Sequence, residues 1–339
     1  MIGAVFARRS CSVTSFVTRR WYARAEARAD TSPSWSMPPT NLARGPLPDV
    51  STPTPSSVRS FSFFGMPPDL LRRLFVTVSG ILCVVGTLFG VGLFGGTEVN
   101  QSSSGNLAAD ATLIAPAGTA FSIWSVIYIG LFAYVIWQWL PKQATSAKAR
   151  ATGWLAALSM LLNAGWLLVT QFGLIWVSVG VIVALLVVCI MLVSRIAANP
   201  AENWGERLAV DASFGLYLGW VSVATLANLG AAIVSTGVAA ESTLGEVSTV
   251  AALVAVLGLA TFYVWRWKNL AVSAAIIWGV AWVGFGRLSD APESTLVGVV
   301  ALAVAVLIAV TGLLAKSIDW RSADPSKGVG TTRSADAIA

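Results

Sequence analysis

Nine side chains recur at spacings that would gather aromatic faces and carboxamides onto common helix faces. Phe121, Trp124 and Tyr128 stand at i, i+3 and i+7, so a helix puts them on one side. Asn163 and Trp166 are one turn apart, and Tyr217, Trp220, Ala224 and Asn228 repeat at steps of three and four. Aromatic rings of this kind stack on a flat apolar body, and the amides can hold its polar edges. Asn163 and Asn228 lie within apolar stretches, where an amide facing hydrocarbon is costly. Each is therefore expected to face a bundle interior or a wet cavity. Taken singly, each stripe reads more simply as interhelical packing, since amide bonds between membrane helices are worth about 1 kcal/mol or less. Taken together, the three stripes point to an aromatic-lined pocket.

Conventional catalysis is hard to build from this chain. It contains no histidine, which removes the commonest general base, the commonest biological metal ligand and the usual haem ligand. Cys11, Cys83 and Cys189 show neither a metal spacing nor a disulfide framework. No catalytic residue is assigned, no cofactor is expected to be required, and an enzyme is the less favoured class. Asp211 could couple to protons, but a contact with Arg207, four residues earlier, is the simpler expectation. Arg287, Asp290 and Glu293 read as a solvated loop cluster. Trp278 and Trp282 could line a cavity, but packing or lipid contact is expected of them.

The elements that must position these residues follow from composition. Hydrophobic residues make up 56% of the chain and charged residues 11%, against roughly 25% charged in soluble domains. A surface so poor in charge must face lipid, and a span needs about 20 apolar residues. Such runs lie at about 73–95, 118–140, 152–171, 174–195, 208–235, 247–265, 269–286 and 295–315. The expected fold class is all-α, a polytopic membrane helical bundle. Spans three and four are joined so briefly that they should form an antiparallel hairpin. Gly86 with Gly90, and Gly215 with Gly219, give small-xxx-small spacings that let helix backbones approach closely. Such faces also permit a homodimer.

Residues 1–65 are rich in Arg, Ser and Pro and are set apart as a disordered tail. A transit-like segment is one reading of it. The blander reading is a plain tail, or upstream sequence with the natural start at Met66. Residues 319–339 read as a second tail. Beyond Met66, the basic residues fall on one side of an eight-span layout: Arg72, Arg73, Lys142, Lys148, Arg150, Arg195, Arg207, Arg266, Lys268 and those near the C-terminus. Only Arg287 falls on the other side, among Glu98, Asp110, Glu241, Glu246, Asp290 and Glu293. The positive-inside rule then places both chain ends in the cytoplasm, and a bacterial plasma membrane is the expected location. The positive charge is spread over helix ends and the tail, so nucleic acid is not an expected partner. Trp137, Trp139, Trp204, Trp265, Trp267 and Trp320 lie near helix ends and are expected to form an aromatic belt.

These residues resemble the translocator protein family, the tryptophan-rich sensory proteins of the TspO/MBR type. The stretch from Tyr217 to Asn228 is similar to the family's fifth-helix pattern, with Tyr217, Trp220, Ala224, Thr225 and Asn228 in register. It departs at Ala227, where the family usually has Leu. Leu162, Asn163 and Trp166 match the third-helix pattern, but the aromatic pair that follows is reduced to a displaced Phe172. Pro116, Trp124 and Tyr128 match the second-helix pattern. There Phe121 is one place late and the paired prolines are reduced to one. The resemblance covers about residues 72–236. It implies a five-helix module over 66–240, with three additional spans over 241–318 outside the family's usual extent.

The resemblance further implies a cavity opening towards the loop between the first two helices, with residues 97–117 as a lid. Trp124, Asn163, Trp166 and Trp220 would line it, with Tyr128 and Ala224 nearby. A tetrapyrrole such as porphyrin or haem is the implied ligand type. Some members promote light-dependent porphyrin breakdown, attributed to tryptophans at the positions of Trp124 and Trp220. Sterol binding is not expected, because no Lys or Arg follows Asn228 within its helix. Three functions therefore stand open. They are a membrane receptor or carrier for a hydrophobic small molecule, a light-dependent porphyrin-degrading enzyme, and a secondary transporter. No repeat between the two halves supports the last.

Overall fold

The computed structural model describes residues 66–90 and 103–322. The tail 1–65, the end of the first span, the lid residues 97–102 and residues 323–339 lie outside the described residues. Among the described residues eight helices are long and apolar enough to cross a membrane, matching the expected spans one for one. They are α1 (Pro68–Gly90), α2 (Ile123–Trp137, entered through the 3-10 turn Gly118–Ser122), α3 (Ala147–Gln171) and α4 (Ile175–Ala197). Then follow α5 (Ser213–Val234), α6 (Thr243–Trp267), α7 (Leu270–Ser289) and α8 (Thr295–Ser322).

Local chemistry sets where these helices begin and end. Ser146, Ser242 and Asn269 each accept a first-turn N–H through the side-chain oxygen, capping α3, α6 and α7. Gly173 has φ +70 in the tight connection between α3 and α4, a left-handed conformation that a side chain would strain. Those two helices pack against each other as the expected hairpin. The fifth span starts irregularly. A single turn at Trp204–Glu206 leads into the π-helical segment Arg207–Ala212 before α5 continues.

Helix α1 packs on α3, α3 on α4, α4 on α5 and α2 on α5. The last three helices join this group chiefly through α7 on α5, with α8 packed on both α6 and α7. Small residues make the α5–α7 seam possible. A methyl group on Gly219 would run into the Val272 carbonyl, and one on Gly215 would meet Asn269 Oδ1 at 2.7 Å. Gly86 backs onto Ala164 in the same way, at 3.1 Å. In lipid such close backbone approach supplies the van der Waals contact that holds helices together. Gly86, Gly215 and Gly219 thus make these close contacts within one chain.

One end of the bundle is held by charge. Arg150 Nη2 meets Asp69 Oδ2 at 2.6 Å, tying the starts of α1 and α3. Lys148, only 5% exposed, lies 2.6 Å from Asp211 and 3.2 Å from Glu206. The expected Asp211–Arg207 contact is therefore corrected. The wide π turn abandons the register that aligns residues four apart, Asp211 reaches α3, and the Arg207 guanidinium lies over the Trp204 ring. Trp137 leaves the expected belt, buried and stacked on Tyr134, while Trp267 is half-buried and stacks on Tyr263. Trp139, Trp204 and Trp265 remain exposed as expected.

Gly219→Ala should lower stability by about 1–3 kcal/mol, the usual cost of overpacking, read as a drop in thermal midpoint in detergent. Gly180→Ala, with nothing within 4 Å of the added methyl, should show no drop. Lys148→Met should cost about 3–5 kcal/mol by leaving two carboxylates unpaired. Adding Glu206→Gln and Asp211→Asn should recover most of that loss in the same melt.

Candidate ligand cavity

At the end of the bundle opposite the ion pairs lies a cavity of about 780 Å³. One wall is the start of α2, which contributes Phe121, Trp124 and Tyr128. Trp166 and Leu167 near the end of α3 form another, with Thr87 and Gly90 at the end of α1. Residues 108–110 and 117–118 cover it, and the end of α7 closes the side with Arg287, followed by Asp290 and Ala291. A second cavity of about 40 Å³ shares Phe121 and Trp166 and continues to Trp220, Ala224 and Asn228.

The three sequence stripes converge at this place. Trp124 stacks on Tyr128 with ring centres 5.3 Å apart and meets Tyr217 and Trp220 edge-on, both at 6.2 Å. Phe121 meets Trp220 at 5.6 Å. The amides hold the rings rather than facing lipid. Asn163 Nδ2 donates to Tyr128 OH at 3.1 Å and to Cys83 Sγ at 3.3 Å. Trp166 Nε1 donates to Asn228 Oδ1 at 2.9 Å, and Asn228 Nδ2 donates to Ser178 Oγ at 3.0 Å. Tyr217 OH donates to the Ser159 carbonyl. Leaving one such buried group unmade costs about 1–3 kcal/mol, so these bonds fix which way each ring points.

Of the nine residues, four line the larger cavity: Phe121, Trp124, Tyr128 and Trp166. Trp220, Ala224 and Asn228 line the smaller one. Asn163 and Tyr217 line neither, being 1% and 0% exposed. The expectation that Asn163 lines the cavity is corrected on this point. It stands behind Tyr128 and orients it. Trp220 Nε1 is buried without a hydrogen-bond partner, which leaves one donor at the small cavity. Trp278 and Trp282 line neither cavity.

Arg287 overturns its expected place in a solvated loop. It is 1% exposed and donates to three carbonyls: Thr112 at 3.2 Å, Pro292 at 3.0 Å and Ala109 at 2.9 Å. The sequence carries a signal for this. Arg287 is the lone basic residue on the acidic side of the charge pattern, in the last turn of an apolar helix. The described part of the lid is fastened to α7 at further points. The Ala117 N–H donates to the Trp282 carbonyl, and Trp278 Nε1 donates to the Ala120 carbonyl just beyond it. Ser178, which anchors Asn228 from α4, had no distinguishing signal among the other serines of the spans.

The geometry offers apolar stacking faces, a few fixed polar groups and a buried cation on one side. It can hold a molecule by shape and polarity. No curated protein and no solved structure matches the chain. The family model for TSPO-like protein matches residues 75–314. That range runs from α1 into α8, so the last three helices lie within the matched region and not outside it. With eight apolar helices and a match over more than half its length, this multi-pass membrane chain belongs to the TSPO-like protein family.

Proposed function

We propose that this protein binds a flat, largely apolar small molecule of the tetrapyrrole type in the cavity between α1, α2, α3 and the end of α7. The observation that carries this reading is the lining itself. Trp124, Tyr128 and Trp166 present ring surface to a space of about 780 Å³, within the 300–1,000 Å³ usual for small-molecule sites. Tyr128 and Trp166 are already held by Asn163 and Asn228, and Trp124 by its ring contacts, so little ordering is left for a ligand to impose. On the charge-derived topology both chain ends are cytoplasmic and the cavity opens at the opposite face. The site then serves as a receptor or carrier pocket.

Protoporphyrin IX titrated into the purified full-length protein should quench tryptophan emission saturably. Trp124→Phe together with Trp220→Phe should weaken binding about 3- to 10-fold, the scale of an aromatic contact or two. Linear quenching, identical in wild type and variant, would defeat the reading.

A further inference from the structure

A guanidinium has five N–H donors in a rigid plane, accepts nothing and stays charged in proteins. Arg287 uses three of its donors, two from Nη1 and one from Nη2, all on backbone carbonyls. Nε is buried and has no acceptor. Nε and Nη2 border the edge of the guanidinium that takes a carboxylate bidentately. Among the described residues no carboxylate stands within ion-pair distance of Arg287. The two acids that share its cavity, Asp110 and Asp290, are exposed at the rim. Carbonyl dipoles and, at longer range, the rim carboxylates Asp110 and Asp290 offset part of the cost of burying this charge, but neither acid touches it and Nε keeps no acceptor.

The side chain stands against the same space as Trp124, Tyr128 and Trp166. A molecule resting on those rings lies beside Arg287, and a group at its edge reaches Nε, which is sealed as the structure stands, once the covering residues 109–112 give way. The exposed rim carboxylates repel a free anion arriving from water. An acid would therefore be admitted only when its apolar body is held by the rings.

Resting on the cavity reading above, we propose that the ligand carries a carboxylate at the edge of its flat apolar body, and that Arg287 binds that carboxylate. Arg287 is then a specificity-determining residue contributed by the seventh helix. Its bonds to Ala109 and Thr112 fasten the covering segment, and its remaining edge reads the ligand's charge.

The test compares protoporphyrin IX with its dimethyl ester, the same ring without the carboxylates, on full-length protein in a phosphate-free sugar detergent at pH 7. Tryptophan quenching gives the two affinities for wild type, Arg287→Gln and Arg287→Lys. Comparing the acid-to-ester ratio between proteins cancels partition into micelles. The ratio should fall about tenfold in Arg287→Gln, any loss from loosening the covering segment being shared by acid and ester. Arg287→Lys, which keeps the charge but not the two-pronged edge, should lose about threefold. If Arg287→Gln does not fold, the Arg287→Lys ratio decides. An unchanged ratio, or an equal loss for acid and ester, overturns the proposal and leaves Arg287 as a fastener of the lid. If neither compound binds wild type saturably, the cavity reading itself fails.

Discussion

In an apolar bundle a polar side chain finds its partner within the protein, and this constraint fixes the arrangement of the site. Asn163 and Asn228 sit on different helices, yet each is satisfied by a ring-bearing residue of another helix, Tyr128 or Trp166. Each bond therefore does two things. It removes the cost of a buried amide, and it turns an aromatic side chain to one orientation. With the rings so held, a space remains that they line without filling.

The same constraint acts on the far larger penalty of a buried guanidinium. Arg287 is carried to the cavity by α7, whose place is set at the glycine seam with α5. The seam lies along Gly215 and Gly219, and it determines where the end of α7 emerges. From there Arg287, Trp278 and Trp282 take hold of residues 109–120. The last three helices are thus part of the site. A bundle ending after α5 would lack one wall and the fastening of its cover.

Most of the architecture was legible in the sequence because lipid imposes long apolar runs and charge segregation. All eight spans were readable for that reason. The stripes were legible because Trp124 with Tyr128, Asn163 with Trp166, and Trp220 with Asn228 recur at helical spacing, each pair on one helix. What could not be read was depth within the site. Helical periodicity says that Asn163 and Trp166 share a face, but not that Asn163 stands behind Tyr128 while Trp166 meets the cavity. The Asp211 contact was misjudged because periodicity assumes an α-helix, and Arg207–Ala212 is a π segment. The place of Arg287 is not legible because two of its three carbonyl partners lie about 175 residues earlier in the chain, which side-chain types do not reveal.

The account stands on a ligand lying between the second and third helices under the end of the seventh. The most direct measurement is a crystal structure of the full chain soaked with zinc protoporphyrin, with the metal located by its anomalous signal. The account predicts a single strong peak inside the cavity, within stacking distance of Trp124 or Trp166, with a porphyrin edge turned towards Arg287. Peaks confined to the lipid-facing surface, with the cavity holding none, would contradict it.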